Sequence, residues 1–100
     1  MTTAIAVVAI ATPPRYLTRL AKHFEHRVPV QRDAQTARIE FPEGVCTLSA
    51  TEADLHIRIE SGSAEALTRY QDVVARHLRQ VAPEETVEVC WQQPSAAAMS

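Results

Sequence analysis

Two histidines lie three residues apart near the end of the first predicted helix, where they could share a metal ion. They are His23 and His26, and imidazole nitrogens are common ligands of transition metals. On a helix of 3.6 residues per turn, His26 lies opposite the apolar stripe and His23 lies at its flank, so such a metal would face solvent. The competing interpretation is that both imidazoles complement the helix dipole together with Lys22 and Arg27. We favour this second interpretation because Glu25 is the single carboxylate nearby.

A second group of polar residues is predicted on one face of a β-sheet. Arg38 and Glu40 alternate with apolar residues in one strand, and His56 and Arg58 do so in another. The predicted strand register gives two rows, Arg38-Ser49-His56 and Glu40-Thr47-Arg58. An imidazole that titrates near neutrality beside a guanidinium could orient an anion or act as a general base. We favour a solvated sheet face with ordinary cross-strand pairs, each worth about 0.2–1 kcal/mol, because no glycine-rich loop or third converging group accompanies the rows.

The elements that must position these side chains follow from hydrophobic periodicity. Residues 4–11 are apolar on both sides, which predicts a first strand covered on both faces. Thr12 then serves as a helix N-cap, and Pro13-Pro14 lie in the first turn. The helix ends near Arg27, and residues 28–30 predict a second strand that is short or at an edge because of its proline. The apolar stripe of this helix consists of Leu17, Leu20, Ala21 and Phe24.

Three strands in the middle of the chain each have one apolar and one polar face. Residues 42–44 and 51–54 supply the turns between them. Matching the apolar faces predicts four antiparallel pairs: Phe41 with Cys46, Ile39 with Leu48, Ala50 with Leu55, and Leu48 with Ile57. A slip of one residue would bury Arg38, His56 and Arg58.

The last part of the chain predicts a second helix and a final strand. Ser63 is the N-cap of this helix, and Pro83 ends it. The buried stripe of the helix consists of Leu67, Tyr70, Val74, Leu78 and Val81. The final strand is predicted from the alternating Val87, Val89 and Trp91. The order β-α-β-β-β-β-α-β predicts a two-layer α+β sandwich with both helices packed on one face of a mainly antiparallel sheet. We expect residues 1–92 to form a single domain and residues 93–100 to form a disordered tail.

Composition excludes several classes of function. The 100 residues carry a net charge of −2 and are 46% hydrophobic, which is ordinary for a soluble domain. The longest apolar run is too short to cross a bilayer, so no membrane partner is predicted. Negative net charge and 5% aromatic residues argue against nucleic acid. The two cysteines, Cys46 and Cys90, are too few for a disulfide scaffold, which favours a cytoplasmic location. No cofactor is predicted.

Positive charge is concentrated on the predicted helices. Together they hold seven Lys and Arg residues against three acids, a net charge of about +4, which leaves about −6 for the sheet and loops. Arg15, Arg19, Lys22 and His26 share one exposed stripe of the first helix. Such a stripe could dock an acidic partner or an anionic ligand. A solvated helix exterior has the same pattern, and we favour that interpretation.

The first strand has no polar side, so the sheet face that carries Arg38 and His56 must also carry an apolar strip. The strip is either residues 4, 6, 8 and 10 or residues 5, 7 and 9. An exposed strip of this kind is typical of an interface or a ligand groove. We therefore predict a homodimer formed through the first strand, with a small apolar ligand as the second possibility.

Several short segments resemble a family of bacterial proteins of about a hundred residues with no known function. The most telling are Lys22-His23-Phe24 and Phe41-Pro42-Glu43-Gly44, and the likeness runs from about Arg15 to Trp91. Members occur beside or fused to siderophore-interacting proteins of the ferric-siderophore-reductase type. The resemblance implies a link to iron handling and such a reductase as a partner. It implies no catalytic or binding residue.

Two functional hypotheses follow. The first is a non-enzymatic accessory or binding module in iron–siderophore handling. The alternative is a small metal-dependent or acid–base enzyme that uses His56 with Arg38 and Glu40, or else the histidine pair. We assign no catalytic residue. The candidate ligand-binding residues are Arg38, Glu40, His56 and Arg58, and the candidate metal ligands are His23 and His26.

Overall fold

The structure is a computed structural model that describes residues 2–92. Within them the elements are β1 (Thr2–Ala9), α1 (Pro13–Glu25), β2 (Val30–Arg32), β3 (Thr36–Phe41), β4 (Gly44–Ala50), β5 (Asp54–Ser61) and α2 (Ala64–Val81). The sheet has the strand order β1-β5-β4-β3-β2, and every pair of neighbours is antiparallel. The predicted tail, residues 93–100, lies outside the described residues.

The two helices cover one face of the sheet, as the sequence predicted. α1 packs over β2 to β5, while α2 packs over β5 and β1. Alternate residues of the strands point toward the helices and are buried, which is the expected pattern for a sheet with one covered face. The two-layer α+β sandwich is therefore confirmed. Its largest fully buried side chains include Leu17, Leu20, Ile39, Leu48, Leu55, Ile57, Ile59, Leu67 and Leu78.

The first strand is buried on one face, and the prediction that both faces are covered is wrong. Ala4, Ala6 and Val8 are buried against the helices, whereas Val7 on the opposite face is 51% exposed. Both helices lie on the same side of the sheet and leave the other side of β1 open, where Thr86, Glu88 and Cys90 border Val7 and Ala9. The apolar strip on the open face therefore consists of residues 5, 7 and 9, of which Ile5 is half-buried and Val7 and Ala9 are exposed.

The two helix starts differ in how their first amides are satisfied. Ser63 is confirmed as an N-cap because its hydroxyl accepts from the Ala66 N–H at 3.1 Å. Thr12 also occupies the N-cap position, but its side chain makes no capping hydrogen bond. Its φ of 46° is left-handed, whereas a side-chain cap requires extended backbone. Pro13 and Pro14 lack amide hydrogens, which leaves fewer donors to cap.

One predicted strand register is confirmed, and the other is wrong by two residues. Ala50 pairs with Leu55 and Leu48 pairs with Ile57, as predicted. Between β3 and β4, however, Ile39 pairs with Cys46 rather than with Leu48. Likewise, Phe41 pairs with Gly44 rather than with Cys46. A shift of two residues leaves the same side chains facing the core, so the apolar pattern could not distinguish the two registers.

The predicted final strand is wrong. Residues 86–91 form no strand, and residue 92 makes an isolated bridge with Ile5 through two backbone hydrogen bonds of 2.8 Å. Val87, Val89 and Trp91 nevertheless pack against the core, while the residues between them are exposed. The alternation of apolar and polar residues in this segment therefore reflects burial of one side and not a β-strand. A ladder also requires two backbones to stay within hydrogen-bonding distance, and this segment reaches β1 in that way at residue 92.

Replacing Gly44 by alanine is expected to destabilise the fold by about 1–3 kcal/mol. A Cβ at Gly44 would lie 2.6 Å from the backbone oxygen of Glu60, so neighbouring strands would have to move apart. Gly62 is the matched control, because a Cβ there meets nothing within 4 Å. Urea unfolding followed by circular dichroism measures both variants. Equal stability of the two would contradict the close approach of β4 and β5.

Candidate functional site

The sheet face opposite the helices holds all four predicted ligand-binding residues, but in different rows from those predicted. Arg38 and Arg58 both pair with Thr47, so the two guanidinium groups share one row. Glu40 pairs with Val45, which pairs in turn with Glu60, and His56 lies in the row of Ser49. The predicted rows Arg38-Ser49-His56 and Glu40-Thr47-Arg58 are therefore wrong, because the β3–β4 register is shifted by two residues.

Each arginine of this face has a carboxylate neighbour on its own strand. Arg38 Nε lies 4.0 Å from Glu40 Oε2, and Arg58 Nη2 lies 3.6 Å from Glu60 Oε2. All four side chains are more than one-third exposed, so each pair contributes about 0–1 kcal/mol. Positive and negative charges thus compensate each other locally on the sheet face. His56 lies in a different row from Arg38, so these two residues do not form the predicted pair.

The opposite surface carries a groove beside the two helices with a different charge pattern. This groove is shallow and wide open to solvent, has a volume of about 500 Å³, and is lined by Arg19, Lys22, His23, His26 and Val81. No carboxylate is among these lining residues. The predicted metal ligands His23 and His26 thus lie in one groove with two of the predicted basic residues.

Arg19 joins α1 to the end of α2 beside this groove. Its Nη1 donates a 3.1 Å hydrogen bond to the carbonyl oxygen of Val81 and lies 3.6 Å from Glu84 Oε1. Its guanidinium also lies 5.3 Å from the centre of the Tyr16 ring. We therefore assign Arg19 a structural role, and Lys22 provides the accessible positive charge of the groove.

The structure brings His23 into contact with His77, a pairing that the sequence did not predict. Their ring centres lie 4.6 Å apart with an angle of 42° between the planes. Phe24 packs against both rings, with centre distances of 5.5 and 5.2 Å. Partial burial lowers the pKa of His23 from its ordinary value, and the positive charges of His77, Arg27 and His26 act in the same direction. The neutral imidazole is therefore the favoured form.

The contact between the helices continues inward as a row of aromatic rings. Phe24 meets Phe41 edge-on at 5.4 Å, and Phe41 stacks on Tyr70 at 4.5 Å with an angle of 13°. The Tyr70 hydroxyl accepts a 3.2 Å hydrogen bond from the N–H of Glu43 in the β3–β4 turn. Ser61 Oγ donates to the carbonyl of the same residue at 2.9 Å. These contacts hold α2, the turn and the end of β5 together.

Within residues 2–92, no group of three or more His, Cys, Asp or Glu side chains is arranged to hold a metal ion. Two pairs of histidines remain as candidate metal ligands. They are the predicted pair, His23 and His26, and the contacting pair, His23 and His77.

The two cysteines are expected to differ sharply in reactivity toward thiol reagents. Cys46 is buried, and burial raises the pKa of its thiol to about 12, so its thiolate is scarce at pH 8. Cys90 is exposed, and both cysteines are free. Labelling with iodoacetamide followed by mass spectrometry should add one group to the native protein and two to the unfolded protein. Labelling of a Cys90→Ser variant in its native state would contradict this placement.

The fold and the helix groove define a small two-layer α+β protein with an antiparallel sheet. A family model described as an uncharacterized protein conserved in bacteria (DUF2218) matches residues 5–92, and the chain belongs to this family. The chain is also similar to the NMR structure of PA4090 from Pseudomonas aeruginosa. The two share 30% sequence identity over 92% of this chain and 96% of that chain, with a TM-score of 0.78. The comparison with curated proteins gives no match.

Neither α1 nor α2, the helices of the described region, has the length and apolar character needed to cross a bilayer.

Proposed function

We propose that this protein is a non-enzymatic accessory module that binds an anionic partner through the groove lined by Arg19, Lys22, His23 and His26. The observation that carries this proposal is the difference in charge between the two surfaces. On the sheet face, Arg38 and Arg58 each have a glutamate within 4.0 Å. The helix groove has two basic residues and two histidines in its lining and no acid. Arg19 is paired with Glu84 at 3.6 Å, so the positive charge that the groove offers an anion is that of Lys22, and no acid in the lining competes for it.

Iron–siderophore handling supplies a partner of suitable chemistry. The resemblance noted from the sequence links the family to siderophore-interacting reductases, and ferric siderophores with catecholate ligands are anions. An acidic patch on such a reductase would present the same charge. Two free cysteines suit a reducing cytoplasm, where this module would meet either partner.

A titration with a ferric tris-catecholate, followed by isothermal calorimetry, tests this proposal. Lys22→Glu is expected to weaken binding by about tenfold, since it reverses a charge inside the groove. Arg58→Glu is the matched control, because it makes the same change in net charge on the sheet face, and it should alter the affinity by less than about twofold. Binding by the wild type should also weaken as salt is added. Equal effects of the two variants would reduce the interaction to non-specific attraction and overturn the proposal.

We also propose that two copies of the chain pair through the strip formed by Ile5, Val7 and Ala9. Val7 supports this proposal, because it is the one large hydrophobic side chain among residues 2–92 that is exposed, at 51%. A second copy would cover the strip from the side that the helices leave open.

Sedimentation velocity tests the pairing of two copies. The wild type should sediment as a dimer at micromolar concentration, and Val7→Lys should sediment as a monomer. Thr47→Lys adds the same charge to the same sheet face and should leave the dimer intact. A wild-type monomer would contradict the proposal.

The alternative function, a small metal-dependent or acid–base enzyme, has one specific observation in its favour. His56 has lost its predicted neighbour Arg38, but His23 has gained a second imidazole from His77. Metal chemistry, rather than acid–base chemistry on the sheet face, is therefore the form of this alternative that the contacts support.

A further inference from the structure

The contact between His23 and His77 joins two imidazoles from different helices. Because one ring comes from α1 and the other from α2, the packing of the helices sets their separation. Phe24 contacts both rings and limits how far they can turn. His26, by contrast, is related to His23 by a spacing of three residues along the chain and not by the packing of two helices. The cross-helix pair is therefore the better positioned of the two histidine pairs.

One nitrogen of His77 is already committed to the helix backbone. Its Nδ1 lies 2.6 Å from the carbonyl oxygen of Val73. A carbonyl oxygen can accept a hydrogen bond but cannot donate one, so Nδ1 must carry the proton. The lone pair then resides on Nε2. Metal-binding histidines are typically oriented in this way, with one ring nitrogen donating to a carbonyl or carboxylate and the other binding the metal.

The separation of the rings fits a shared metal ion. With a metal–nitrogen bond of about 2.1 Å, the centre of an imidazole ring lies about 3.2 Å from the metal. Two imidazoles at an angle of about 90–110° around the ion then have ring centres about 4.5–5.2 Å apart. The observed distance between His23 and His77 is 4.6 Å. Since His23 is exposed, small rotations of its ring can bring its nitrogen to the same ion.

We propose that His23 and His77 form a two-histidine site for a divalent transition metal, Cu²⁺, Zn²⁺ or Ni²⁺. Imidazole ligands favour these ions, and the groove lining lacks the carboxylates that Mg²⁺ or Ca²⁺ require. Two protein ligands leave coordination positions open for water or an external anion. Lys22 and Arg27 carry positive charge nearby, which favours an anionic co-ligand over a second cation. The site shares His23 with the proposed docking groove, but metal binding does not require an anionic partner.

Titration with Cu²⁺ alone, in a buffer that does not bind copper, tests this site. Calorimetry measures the affinity, and electron paramagnetic resonance counts the bound nitrogens. The wild type should bind one ion with two imidazole nitrogens. His23→Ala and His77→Ala should each weaken binding by at least about tenfold, and the double variant should be little worse than either, since the two ligands act as one unit. His77→Phe keeps a ring at the helix contact and should lose copper while remaining folded.

Two matched substitutions separate this site from the other arrangements. His56→Ala removes a histidine from the sheet face and should change the copper affinity by less than about twofold. His26→Ala should behave in the same way if the ligands come from two helices. A loss with His26→Ala and none with His77→Ala would overturn the proposal in favour of the pair His23 and His26. Equal small losses with all four single variants would show adventitious binding. The outcome of the copper titration does not depend on whether the protein binds the ferric complex, because copper is titrated alone.

Discussion

Tyr70→Ala is expected to lower the free energy of unfolding by about 3–5 kcal/mol. Tyr70 is 7% exposed, and its ring stacks on Phe41 with the centres 4.5 Å apart. Truncation removes this contact and leaves a cavity between α2 and the end of the sheet. It also removes the hydroxyl that accepts from the Glu43 N–H, which leaves the β3–β4 turn with the hydrogen bond from Ser61 and the ion pair with Arg69. Chemical denaturation followed by circular dichroism measures the loss.

Tyr70→Phe is the matched control for this prediction. It keeps the ring and the stacking on Phe41 but removes the hydrogen bond to Glu43. The expected loss is about 1 kcal/mol. If the phenylalanine and alanine variants were equally unstable, the hydroxyl rather than ring packing would hold the turn. That result would contradict the row of aromatic contacts as the main link between α2 and the hairpin.

Ile57→Ala is expected to cost about 2–5 kcal/mol. Ile57 is fully buried in β5, between Leu48 of β4 and Ala6 of β1. Removal of its branched side chain leaves a cavity below both helices, and neither neighbouring strand can move inward without breaking its hydrogen bonds. Urea unfolding measures the change, and Ile57→Val, with an expected cost of about 0.5–1.5 kcal/mol, provides a folded reference.

Arg58→Ala is the adjacent control on the same strand. The Arg58 side chain is 53% exposed and belongs to the opposite face of the sheet, so its loss should change stability by no more than about 0.5 kcal/mol. A large effect of Arg58→Ala together with a small effect of Ile57→Ala would place the wrong face of β5 against the helices.

The contrast between Ile57 and Ile39 shows what the sequence could predict. Alternation in β5 predicts which residues face the core, and both the face and the pairing of Ile57 with Leu48 are confirmed. The same alternation places Ile39 on the correct face but with the wrong partner, since Ile39 pairs with Cys46. Apolar alternation has a period of two and cannot distinguish registers that differ by two residues. The tightness of the turn after Phe41, which pairs directly with Gly44, decides the register.

The candidate site was less predictable than the fold. Helical periodicity predicted the exposed stripe that includes Lys22 and His26, but it predicted no contact between the two helices. The contact between His77 and His23 depends on how the two helices cross. A crossing angle is set by the packing of whole helix surfaces on the sheet and cannot be deduced from either helix alone.

The most direct test of the proposed docking groove is paramagnetic broadening of the amide signals by the ferric tris-catecholate. Ferric iron broadens the signals of nearby nuclei, so the broadened residues locate the bound complex on the surface. Our proposal predicts broadening at residues 19–26 and 77–81, with intact signals for Arg38, Thr47 and Arg58 on the sheet face. Broadening confined to that sheet face, or spread evenly over the molecule, would contradict the helix groove as the binding surface.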